Sequence, residues 1–303
     1  MKLQTILTDN LKYSMEAIAA DGELSYQIQA ILIPLGLLDP PADGKFGPIS
    51  AAALQKFQTL IYCQEPGYIG PRTAEKLIET KPESIPTPPL RPLNNLAGVI
   101  TQYMLAKNYH LARGEREYNI VYVEGLSADG TANQDYPNEF NDRRLILEVR
   151  EGVPTVIGNW EATTEPGTYY TYNPMNPQGA ARIQFGQYKA WQVGTHGNAE
   201  PHEALVQVGP VSVHRDFNQD FSRVGDFVDT GSEFGINQHY GYDLPSNDIQ
   251  MASAGCLVGR SREGHREFMH LVKQDRRYQA NLDYVFTTTI LPGDELLKIT
   301  SMV

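Results

Sequence analysis

Cysteine is scarce in this chain, long apolar runs are missing, and basic residues are outnumbered. The 303 residues include two cysteines, Cys63 and Cys256. Their wide separation excludes both a disulfide framework and the close ligand spacing of a zinc ribbon. No segment approaches the roughly 18 consecutive apolar residues of a transmembrane helix. The amino terminus does not read as a signal peptide, because the apolar run from Leu3 to Leu7 is interrupted at Thr5 and halted at Thr8-Asp9-Asn10. Synthesis in the cytoplasm is therefore the expectation. With 25 Lys and Arg against 36 Asp and Glu, the formal charge of -11 attracts neither phosphate backbones nor anionic lipid. Nucleic acid binding and membrane insertion drop out as functions.

What is present is the composition of a folded protein, 41% hydrophobic and 20% charged, long enough for two domains. Leu3, Ile6, Leu7, Leu11, Met15 and Ile18 predict an amphipathic first helix, and Leu24, Ile28, Ile31, Leu32 and Leu35 predict a second. An internal echo follows. Phe46-Gly47-Pro48-Ile49-Ser50 precedes a helical run to Leu60, and Ile69-Gly70-Pro71-Arg72-Thr73, offset by 23 residues, precedes a run to Glu79. In each copy Gly permits the turn and Pro is preset for the first helical position.

This segment, with Asp43-Gly44-Lys45-Phe46-Gly47-Pro48 leading into Ala53-Leu54-Gln55-Lys56-Phe57-Gln58, resembles the three-helix peptidoglycan-binding domain of cell-wall enzymes. The resemblance implies peptidoglycan as partner. Cys63, between apolar helical segments, reads as core.

Five prolines between Lys81 and Leu93 mark a linker that contributes nothing to a core. The division expected is residues 1–80 helical, 81–93 linker and 94–303 β-rich. A helix is expected over 94–107. Alternating runs at 120–123, 145–149, 153–160 and 284–290 predict strands, and 262–275 predicts a late helix. The second domain is therefore expected to be a β-sandwich or barrel with a few helices.

Cys256 lies in the small-residue run Ala252-Ser253-Ala254-Gly255-Cys256, and His239 lies 16 intervening residues upstream in Gln238-His239-Tyr240-Gly241. A cysteine nucleophile needs such a partner, since the thiolate is the reactive species. His239 and Arg260 are the side chains placed to favour it. The spacing, with Ser-x-Gly-Cys at its end, resembles the L,D-transpeptidases, as does the Thr163-Thr164-Glu165-Pro166-Gly167 turn more weakly. Two positions depart from their pattern: Ala254 stands where the family has a second His, and Val258 where it has an Arg.

By this resemblance Cys256 attacks a stem-peptide carbonyl with His239 as general base. Ser253 and Gly255 shape the site, and the Gly255 and Cys256 amides face the oxyanion. Arg260, Arg182 and Tyr240 are the candidate substrate contacts. No metal or organic cofactor is implied.

The residues leave two rivals open. One is a non-catalytic peptidoglycan-binding protein with a degenerate transpeptidase fold. The other is a phage-type peptidoglycan hydrolase, reaching the wall after release, in which His196, His202 and Glu203 are the only hint of zinc ligands. His214-Arg215-Asp216-Phe217-Asn218 imitates a kinase catalytic loop without the accompanying motifs, so only a place for His214 or Arg215 near the cleft is expected.

Overall fold

The computed structural model describes residues 2–86 and 88–299. Two compact units emerge: one runs to Pro89 and takes in Ala112–Gly114, and the other comprises Leu90–Leu111 and the chain from Glu115 onward. Among the described residues no helix is long and apolar enough to cross a membrane.

The first unit contains α1 (Leu3–Thr8), β1 (Tyr13–Ser14), α2 (Met15–Ala19), α3 (Gly22–Leu32), α4 (Pro48–Leu60), β2 (Tyr68–Ile69) and α5 (Pro71–Glu79). The single helix expected over 3–18 is broken. Asn10 takes a left-handed conformation (φ 53°), which Asn tolerates better than most residues, and Tyr13–Ser14 then pairs antiparallel with Tyr68–Ile69. The Asp21 carboxylate caps α3 by accepting from Leu24 N at 3.0 Å.

The Gly-Pro echo is three-dimensional. The Gln29 amide donates to Asp43, to Lys45 O and to Ser50 Oγ (3.1 Å), while its oxygen accepts from Asp43 N and Gly44 N. The Gln58 amide donates to Glu65 O, Tyr68 O and Thr73 Oγ1 (3.1 Å). Ser50 and Thr73 are each the third residue of a Pro-initiated helix. One buried glutamine per copy thus locks the loop onto the helix it precedes. The buried Glu65 carboxylate accepts from Gly70 N, Arg72 N and Thr73 N, placing negative charge at the α5 N-terminus. Leu24, Ile28, Leu54, Phe57, Leu77 and the 2%-exposed Cys63 fill the core. Ile85, within the proline-rich stretch, is buried in it as well, so that stretch does contribute to a core.

The second unit begins with α6 (Leu96–Ala106), capped by Asn95, whose side chain accepts from Gly98 N. Eight strands then close a barrel in the order β11-β12-β5-β4-β3-β13-β7-β8. These are β3 (Tyr118–Glu124), β4 (Asp142–Arg150), β5 (Val153–Thr163), β7 (Gly186–His196), β8 (His202–Gln207), β11 (Gln238–Tyr240), β12 (Leu257–Gly259) and β13 (Phe286–Pro292). Between the architectures expected from sequence, the barrel is the one found. Closure rests on a single antiparallel bridge, Gln238↔Leu205. The β4–β5 hairpin turns through Glu151 and Gly152, both at positive φ, as a two-residue hairpin loop requires.

The face of β3 and β4 bearing Val121, Val123, Leu145 and Leu147 packs on Ile100 and Met104 of α6 and on Leu296 of α10 (Gly293–Ile299). A separate three-stranded sheet, β10-β9-β6, is made by β6 (Ala180–Ile183), β9 (Val211–Asp216) and β10 (Phe227–Gly231). It is preceded by α7 (Thr168–Tyr172). The late helical segment is two helices, α8 (Arg262–Val272) and α9 (Arg276–Ala280), split where Asp275 caps the second by accepting from Arg277 N.

Candidate active site

Residues from three places converge on one cavity of about 770 Å³: the loop before β12 brings Cys256, β11 brings His239, and the small sheet brings Ala180, Ala181, Arg215 and Asp229. Strands β11 and β12 run parallel and adjacent, with His239 opposite Val258. The long connection between them is irregular, but the ladder fixes where His239 and Cys256 emerge.

The cysteine loop is tightly specified. Ser253 Oγ donates to Cys256 O (3.0 Å) and accepts from Gly255 N (3.1 Å). Gly167 N, from the Pro-Gly turn before α7, donates to Ser253 O. Gly255 sits at φ +124°, and a Cβ there would meet the Ala181 carbonyl and side chain of β6, so only glycine fits. Because the Gly255 amide is committed to Ser253, it is not a free oxyanion donor, which corrects the expectation for that group.

The Cys256 side chain is partly accessible, and Sγ–H is donated to Gly235 O at 3.3 Å. Burial pushes its thiol up to about 11, while a backbone hydrogen bond from Asn237 pulls the other way. Burial, then the neighbouring His196, holds His239 down at about 3. At neutral pH the two are thiol and neutral imidazole. The tautomer of His239 follows from its partner. Nδ1 lies 2.8 Å from Tyr240 O, which only accepts, so Nδ1 carries the proton and Nε2 keeps its lone pair.

His196, at the end of β7, lines the same cavity and stacks on His239 with ring centroids 3.9 Å apart and planes within 10°. Its tautomer is fixed too. Asn237 Oδ1 accepts from Gln207 N, so Asn237 Nδ2 is the group that donates to His196 Nδ1 at 3.0 Å. His202 stacks on Tyr240 at 3.6 Å. His265 Nε2 donates to Glu203 O, and its Nδ1 accepts from the buried Arg144. These rings stack or meet edge to face, and of them only His265 has both nitrogens engaged by protein groups. Among the described residues His196, His202 and Glu203 do not form a metal-ligand group.

The carboxylates Glu124, Asp135 and Glu165 do, with ligand oxygens within 4.8 Å of one another, a donor set suited to a hard cation. Two guanidiniums already engage them: Arg223 binds both oxygens of Glu124, and Arg182 binds Glu165 at 2.7 Å. With Asp142 beside them, four carboxylates face two guanidiniums. Burial, followed by the neighbouring carboxylate Glu124, raises Asp135 to about 6 and Asp142 well above its ordinary value. Burial likewise raises Glu165 to about 8 against the opposing pull of Arg182.

The other residues singled out from sequence fall elsewhere. Arg182 is 2% exposed and faces Glu165 rather than the cavity, so it is a structural ion pair and not a substrate contact. Arg260 pairs with Glu161 and donates to Leu244 O, and it does not line the cavity that holds Cys256. Tyr240 lines a smaller neighbouring cavity with its hydroxyl on Glu200 (2.6 Å), and only its carbonyl serves His239. Of the His214-Arg215 pair, Arg215 reaches the cavity, bound to Asp229 through Nε and Nη2. Sequence reasoning missed Asp229, Glu233 and Tyr242 as lining residues. Nothing in their local pattern marks them, since strand and loop crossings bring them together.

Residues 21–77 match the family described as "Putative peptidoglycan binding domain". No curated protein matches the chain. Among solved structures, the chain is similar to a fused Zn-dependent amidase/peptidase/peptidoglycan-binding domain-containing protein from Clostridium acetobutylicum ATCC 824. Identity is 13%, coverage is 93% of this chain and 99% of that one, and the TM-score is 0.30, a likeness that carries no argument. The family match supports peptidoglycan as the partner of the first unit.

Proposed function

We propose that the second unit is a cysteine-dependent acyl transferase acting on peptidoglycan stem peptides, of the L,D-transpeptidase kind, and that the first unit holds it on the wall. The observation that carries this reading is the shared cavity: a partly accessible thiol and an imidazole whose tautomer leaves Nε2 free as a base.

The thiol proton passes to His239 Nε2 as Sγ adds to the carbonyl carbon. With Gly255 N committed, the Cys256 amide is the remaining donor of that pair for the oxyanion. Collapse expels an amine that takes the proton back from His239, leaving a thioester. An incoming amine, or water, then attacks the thioester and restores the thiol. Arg215, Asp229 and Glu233 on the cavity wall suit a peptide carrying both carboxylate and ammonium groups. Anchoring by the first unit raises the local concentration of stem peptide without adding a contact at the thiol.

The test is mass spectrometry of muropeptides from sacculi incubated with the full chain and with Cys256→Ala. New cross-links, exchanged terminal residues or shortened stems that vanish in the variant are the expected result, and their masses tell amine from water as acceptor. Products that persist in Cys256→Ala overturn the thiol mechanism. Pelleting with sacculi without any product favours the non-catalytic binding protein.

A further inference from the structure

The residue after Ser253 is alanine, so the cysteine loop brings no imidazole of its own beside His239. The structure supplies one from a strand remote in sequence. His196 of β7 lies face to face with His239, and its Nδ1 is held by Asn237, whose own oxygen is held by Gln207 N. The Asn237 carbonyl accepts from the N–H of Leu257, the residue after Cys256. A single residue thus ties the stacked imidazole to the start of β12, next to Cys256.

We propose that His196 is a positioning residue for proton transfer between Cys256 and His239: its neutral ring fixes the plane of His239 and stabilises the imidazolium that forms there. This rests on reading Cys256 and His239 as one proton-transfer pair. In the resting state both rings are neutral. When the thiol proton reaches Nε2, the positive ring lies against the π face of a neutral one, and such contacts add attraction in a desolvated site. The same geometry sets a limit. A proton on His196 would place two like charges 3.9 Å apart by ring centroid, so His196 must stay neutral for the transfer to occur.

Several features keep it neutral. Its Nδ1 already accepts from Asn237, and burial, then His202 of β8, lowers its pKa. The groups facing it are His239 from β11 and His202 from β8, with Arg215, Asp229, Glu233 and Cys256 on the shared cavity.

The test needs no peptidoglycan. The rate of alkylation of Cys256 by iodoacetamide is followed by peptide mass mapping on the full chain from pH 4 to 9, in the wild type, His239→Ala, His196→Ala and His196→Phe. His239→Ala checks the underlying pair: an unchanged profile there removes the pair, and with it the premise. If His239→Ala slows the reaction, His196→Ala is expected to slow it by about tenfold at pH 7, the size of one desolvated cation–π contact. His196→Phe, which keeps a π face but cannot be charged, is expected to recover most of that loss and to carry reactivity to lower pH than the wild type. Side-chain ¹⁵N spectra are expected to keep the His239 proton on Nδ1 in the Phe variant. A His196→Ala profile that overlays the wild type overturns the proposal. So does a His196→Phe rate as low as that of His196→Ala with the His239 tautomer intact.

Discussion

The helical stretch of residues 2–86 and the barrel unit treat buried polar groups in opposite ways. In residues 2–86, Gln29, Gln58 and Glu65 are buried and saturated with hydrogen bonds, and among the described residues there no buried side-chain nitrogen or oxygen lacks a partner. In the barrel unit, Nε and Nη2 of Arg144 and Arg182, His202 Nε2 and Gln238 Oε1 are buried without one. A satisfied polar network specifies loop geometry, whereas buried groups without a partner mark a structure held to a geometry its local contacts alone do not favour.

The largest effect expected from this contrast is at Gly255, where the loop has no slack. Gly255→Ala is expected to lower stability by about 2 kcal/mol or more, through positive φ and collision with Ala181, and to abolish Cys256 alkylation; calorimetry and peptide mapping check both. A smaller effect is expected at Gln58. Gln58→Met leaves Glu65 O, Tyr68 O and Thr73 Oγ1 without their donor and is expected to destabilise the first unit by roughly 1–3 kcal/mol. Loss of sacculus pelleting with an unchanged Cys256 alkylation rate sharpens the contrast; a change in both breaks it.

The smallest effect concerns pH. Glu165 titrates near 8 in the fold, above its unfolded value of about 4.3. An acid raised in this way contributes its stability at low pH and loses it as pH rises through the folded value. Since the His239 titration opposes this loss below about 6.5, the wild type is expected to lose thermal stability between about pH 6.5 and 8, and Glu165→Gln to flatten that fall by a few degrees. His239 works with the opposite sign: its depressed pKa gives stability that is full above about 6.5 and lost as pH falls towards 3. A wild-type melting curve flat from about pH 6.5 to 8 would show the carboxylate cluster to be as well satisfied as the helical unit.

Much of this organisation is legible in the chain because it is local. The Gly-Pro starts of α4 and α5, the apolar faces beneath them and the alternation in β3 to β5 are written in neighbouring residues. The break at Asn10 was not, because it serves the pairing of Tyr13–Ser14 with a strand more than fifty residues away. At the site, Cys256 and His239 stand out by spacing. Arg182 is not legible in this way, because an arginine looks the same in sequence whether it meets a substrate or a buried glutamate. His196 carries no signal as His239's neighbour, since their contact exists only once β7, β8 and β11 pair.

The parallel pairing of β11 with β12 bears on how such a site is found in other chains. The 16 residues between His239 and Cys256 measure a loop, and loops lengthen at little expense. What holds the two side chains in relation is a ladder of three residue pairs, in which a slip of one position would turn His239 to the opposite face. A pattern search that fixes the interval and lets the flanking strands vary therefore constrains the wrong quantity; the strand on either side of each residue is the better fingerprint, and the count between them is free to drift.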